Sequence, residues 1–143
     1  MYTAQQVANY VVEYGLRNNI PISNLKLQKL LYFIWIDYYK KEKRYLFGEN
    51  FYAWKFGPVV PEVYYEYCAY GGFSIFCPAN NSDAIQQKDK SIINETVENY
   101  RNFSVGYLVE LSHKDGKPWA DIFRKGLGER KVIPFEKIIN SEC

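Results

Sequence analysis

The chain has 143 residues, a length at which one domain is the rule, and its 48% hydrophobic and 24% charged content excludes a wholly disordered polymer. A net charge of +2 is too small to draw a nucleic acid by charge alone. No apolar run approaches the ~18 residues of a membrane span and no basic leader opens the chain, while the odd, scattered Cys68, Cys77 and Cys143 argue against a disulfide framework and for reduced thiols in a cytoplasm.

Thr3 and Gln6 have the spacing of a capping box, which predicts a helix from about Thr3 to Arg17 with Ala4, Val7, Ala8, Val11 and Val12 on its buried stripe. Asn18-Asn19 and then Pro21 end it. A second helix is predicted from Ser23 to Lys40 or Lys43, with Leu27, Leu30, Leu31, Ile34, Trp35 and Tyr38 at helical spacing. Leu25, Phe33 and Ile36 fall off that stripe, so this helix should lie centrally and be contacted on several sides. Phe51–Phe56 is rich in strand formers and runs into a turn at Gly57-Pro58, with Phe73–Phe76 as its expected partner strand.

Pro61 suits the first position of a helix reaching about Tyr70 and stopped by Gly71-Gly72. Pro78–Gln87 reads as a polar surface loop. A further helix should end near Tyr100, Ser104 should cap the next, and Pro118 and Pro134 should open two short ones. The expected fold is mainly α: a single compact helical domain, residues 1–143, with a short β-hairpin or strand pair in the middle.

Catalytic signals are sparse. His113 is the one histidine; near a helix C-terminus it reads as a structural cap, since Ser112 beside it does not share its face and only proximity links it to Asp115. No CxxC, HExxH or EF-hand loop is present, so neither a metal nor a cofactor is expected. Gly126-Leu127-Gly128 lacks the third glycine of a dinucleotide turn and the lysine of a phosphate loop. The basic runs Lys40–Arg44 and Arg124, Lys125, Arg130 and Lys131 read as solvated charge, with phosphate contact as the alternative.

Aromatic residues make up 18% of the chain, and 17 of them crowd between Tyr32 and Phe76. Core filling and a binding surface both account for such crowding. Three blocks within and beyond it have a recognisable form. Lys26-Leu27-Gln28-Lys29-Leu30-Leu31-Tyr32-Phe33, then Ala53-Trp54-Lys55-Phe56-Gly57-Pro58-Val59-Val60-Pro61-Glu62-Val63-Tyr64, then Leu108 to His113 followed by Pro118-Trp119, occur in that order. Together they resemble the Panacea domain family, which includes SocA-like antitoxins and phage-associated GepA-type proteins. Ser112 stands where the family pattern has Thr, which keeps the hydroxyl.

The resemblance implies a non-enzymatic antitoxin that binds and neutralises a cognate toxin protein in the cytoplasm. It also admits a protease adaptor, with a cytosolic protease as a further partner. An enzyme using His113 and a nucleic-acid-binding module are the readings from other classes. The partner-binding surface is expected at Lys26, Lys29, Tyr39, Tyr52, Trp54, Lys55, Tyr64, Tyr65 and Tyr67, aromatic anchors rimmed by lysines.

Overall fold

The computed structural model describes residues 1–80 and 83–143. Helix α1 spans Ala4–Arg17 and opens on the full capping box: Gln6 N donates to Thr3 Oγ1 at 3.0 Å, and Thr3 N donates to Gln6 Oε1 at 2.9 Å. Its predicted stripe is buried, together with Asn9 and Tyr10. Helix α2 spans Asn24–Glu42, with Ser23 Oγ accepting from Lys26 N and Lys43 closing the last turn in the left-handed region.

This second helix is the axis of the fold. It packs against α1 and against elements formed later in the chain, and Leu27, Leu30, Leu31, Ile34 and Trp35 have no exposed surface at all. Each such side chain contributes about 1.5–3 kcal/mol of burial. Phe33 and Ile36, off the main stripe, are buried as well, as a helix contacted on several sides requires.

Three short strands, β1 (Phe51–Trp54), β2 (Gly57–Val59) and β3 (Val132–Ile133), form an antiparallel sheet in the order β2-β1-β3. The hairpin partner of β1 is therefore not Phe73–Phe76. The chain instead reverses over Lys55-Phe56 and pairs Trp54 with Gly57, a two-residue closure with little loop entropy to overcome. Phe73 and Phe76 stay exposed, and Ser74 makes only an isolated bridge to Ser23. The third strand has no signature in the sequence, because two residues between Lys131 and Pro134 carry no readable period.

Helix α3 (Pro61–Glu66) stops short of Tyr70, and a 3-10 turn at Cys68–Tyr70 completes the expected segment. Of the polar loop Pro78–Gln87, Asn81 and Ser82 lie outside the described residues, and its last residue already belongs to α4 (Gln87–Tyr100). Helices α5 (Val105–Ser112), α6 (Pro118–Phe123) and α7 (Phe135–Glu142) follow as the caps and prolines indicate. Gly128 serves packing, since a Cβ there would stand 1.7 Å from the Ile122 carbonyl oxygen. All three cysteines are free and exposed.

Candidate partner-binding site

The three sequence blocks meet at the hairpin. From α2, Lys29 Nζ donates to the Pro58 carbonyl at 2.7 Å, and Gln28 Oε1 accepts from Val60 N at 2.9 Å. Asn24 Nδ2 donates to the Tyr64 carbonyl, while Asn24 Oδ1 accepts from Gln28 Nε2. From the third block, Trp119 Nε1 donates to the Trp54 carbonyl at 2.7 Å. Gly57 is the tightest point: its φ is +112°, and a Cβ would stand 2.7 Å from Ser112 Oγ and 3.0 Å from Lys29 Nζ. Only glycine fits there.

Lys29 is fully buried, and burial pushes its pKa down to about 7. His113 caps α5 and lies flat on Trp119, with ring centroids 3.6 Å apart and planes 2° from parallel. Burial, and then the neighbouring Lys29 charge, hold the imidazole below the usual histidine range, opposed by a bond with the Phe56 carbonyl. Its Nε2 is buried without a hydrogen-bond partner. Ser112 Oγ donates to the Val109 carbonyl, and Asp115 is exposed. Among the described residues, no group of three His, Cys, Asp or Glu side chains is arranged to hold a metal ion.

On the outer side of this junction the hairpin, the start of α2, α3 and the loop before β3 enclose a cleft of about 230 Å³. Trp54 and Tyr64 form its aromatic wall, edge to face with ring centroids 5.0 Å apart, and Tyr65 stands 6.0 Å from Trp54. Phe56 and Tyr65 are more than half exposed, at 56% and 58%. Arg130 lies over the Trp54 ring at 4.4 Å, and Lys55 over Phe56 at 5.6 Å. Large exposed aromatics beside a concave wall are what a protein anchor residue fits.

The structure thus brings Trp54, Lys55, Tyr64 and Tyr65 together and places the other expected residues elsewhere. Tyr52 shares the outer face of β1 with Trp54 and is half-buried. Lys29 and Tyr67 are in the core, where a partner does not reach them; the Tyr67 hydroxyl donates to Asn9 Oδ1 and accepts from Ala79 N. Lys26 is also buried, its amine donating to the Arg101 carbonyl, and burial lowers its pKa. Tyr39 stacks on Trp35, away from the cleft. A lysine pair three residues apart marks a solvent face only when the helix has one, and α2 is covered around both.

Phe56, Glu129 and Arg130 complete the cleft although the sequence did not single them out for it. Phe56 continues the Tyr52, Trp54 alternation, a usable signal. Glu129 and Arg130 are about 75 residues away, brought in by β3: Arg130 N donates to the Ala53 carbonyl and Ala53 N to the Lys131 carbonyl.

Comparison with known proteins gives these blocks a family. Residues 27–120 match the model described as Antitoxin SocA-like, Panacea domain. The chain is 36% identical over 136 residues to Antitoxin SocA of Caulobacter vibrioides (strain NA1000 / CB15N), covering 87% of this chain and 72% of that protein. No solved structure matches it. Among the described residues no helix is long and apolar enough to cross a membrane. With the family model reaching into all three interlocking blocks, and that relative matching most of both chains, the protein belongs to the SocA-like Panacea domain family.

Proposed function

We propose that this protein is an antitoxin that neutralises a cognate toxin protein by direct, non-catalytic binding. The observation that carries the reading is its 36% identity to Antitoxin SocA across most of both chains. The binding surface is the cleft face of Trp54, Lys55, Tyr64 and Tyr65, extended by Phe56 and by Tyr52 on the same side of β1. Its support is exposure: the crowded aromatics divide between the core, as with Tyr32 and Trp35, and this surface, as with Phe56 and Tyr65. Three free thiols suit action in the cytoplasm, where they stay reduced.

The test is co-expression with the product of the adjoining reading frame, followed by purification of the pair. The reading requires that product to arrest growth alone, the arrest to be lifted by this chain, and the two to co-purify. Trp54→Ala or Tyr65→Ala should weaken neutralisation while the thermal melt stays cooperative. A harmless neighbour, or rescue with no complex formed, would refute direct binding.

A further inference from the structure

We infer that the cleft beside Trp54 recognises a carboxylate set next to an apolar side chain on the partner protein, with Arg130 and Lys55 as its anion-binding pair. The inference rests on the proposal that this face receives the toxin, and it names the chemistry of the segment received.

Arg130 stands in the left-handed region, as do Arg124 and Lys125 before it, and of these three it alone lines the cleft. It is a non-glycine residue at φ +65°, a conformation that crowds a Cβ, and its N–H is fixed to the Ala53 carbonyl at 2.7 Å. That arrangement leaves the guanidinium lying on the Trp54 ring. Strain of this kind, at a residue lining an aromatic cleft, is a feature of sites that hold a group ready. Among the described residues neither Arg130 nor Lys55 takes part in an ion pair; both rest on aromatic faces. A guanidinium stacked on a ring keeps its N–H edge open, and that edge matches a carboxylate in two parallel bonds.

The size and charge of the cleft narrow the occupant. About 230 Å³ is below the roughly 300–1,000 Å³ of cofactor and drug-sized pockets, and suits an anchoring side chain. Trp54, Tyr64 and Phe56 supply apolar walls for it. Glu129 also lines the cleft, so the two cations are partly offset. One carboxylate balances that arrangement, whereas the closely spaced phosphates of a nucleic acid would bring a second negative group against Glu129. The other cations of the loop, Arg124, Lys125 and Lys131, do not line the cleft.

The test pans a phage-displayed random dodecapeptide library on the full chain, and then measures the enriched peptides by fluorescence anisotropy. The expected peptides carry Asp or Glu within a few residues of Phe, Trp or Leu. Their binding should weaken about tenfold or more on Arg130→Gly, and on changing the peptide's acid to its amide. Glycine accepts φ +65° readily, so Arg130→Gly should melt no lower than the parent; Arg130→Lys, keeping charge without the planar fork, should restore part of the binding. Failure to enrich any peptide, enrichment without acids, or equal binding to Arg130→Gly overturns the inference. So does tighter binding of a thymidine dodecanucleotide than of the best peptide. The two readings separate cleanly: neutralisation untouched by Arg130→Gly defeats the carboxylate site alone. A chain that selects acidic peptides but neutralises nothing defeats the antitoxin reading alone.

Discussion

Lys29 makes folding depend on pH in a way that one substitution isolates. Its amine is fully buried, with a pKa of about 7 in place of the ordinary 10.5. Between those values the unfolded chain carries a proton here that the folded chain has shed, so stability rises with pH through that window. Below about pH 7 both states are protonated and the full penalty of burying the charge remains. The whole difference corresponds to about 5 kcal/mol, of which about 2 kcal/mol is recovered between pH 7 and pH 9. Lys29→Met keeps the unbranched stem and removes the titration. It also deprives the Pro58 carbonyl of its donor, a loss whose only dependence on pH is the Lys29 titration itself. Urea unfolding of both proteins at pH 7, 8 and 9, followed by circular dichroism, gives the comparison. The parent should gain about 2 kcal/mol more than the variant across that range. Parallel stability curves would show that the amine titrates normally in the fold, and the burial argument would fail.

Three further outcomes follow from the same geometry. Gly128→Ala sets a methyl against the Ile122 carbonyl and should cost about 1–3 kcal/mol, read as a lower melting temperature. His113→Asn removes the ring stacked on Trp119 and should cost about 0.5–1.5 kcal/mol, with neutralisation retained; loss of activity in a folded variant would point to contact or catalysis. Native protein treated with iodoacetamide should be labelled at all three cysteines, Cys143 more slowly than its thiol would be if fully hydrated, because burial raises its pKa. Mass spectrometry of timed samples, against the unfolded chain, reads that difference.

Local signals carried much of the fold. Thr3, Ser23 and Ser104 start helices because each supplies an oxygen to an otherwise unpaired N–H three residues on, an interaction that needs no distant partner. The hairpin's presence was readable from Phe51–Phe56, but its partner was not, since Gly57-Pro58 looks like punctuation and in fact begins β2. The site was half legible for a related reason. Trp54, Lys55, Tyr64 and Tyr65 are close in sequence and converge through one hairpin and one short helix. Arg130 reaches them only through the pairing of β1 with β3, which no local pattern encodes. Lys29 misled because a charged side chain ordinarily signals solvent, whereas here one carbonyl and a surround of packed aliphatic stem suffice to hold its amine in the interior.

The pairing of β1 with β3 also sets a clock. Ala53 exchanges backbone hydrogen bonds with Arg130 and Lys131, so the sheet has an empty lane until that much later segment arrives. Such long-range closure is slow to reward during folding. On a ribosome adding about 5–20 residues per second, the stretch from Trp54 to Ile133 takes several seconds to emerge. Until Trp119 emerges the Trp54 carbonyl lacks its indole donor, and until Arg130 follows the Trp54 ring lacks its guanidinium. The Arg130 side of this cleft is therefore missing from any nascent chain in which that strand has not yet paired.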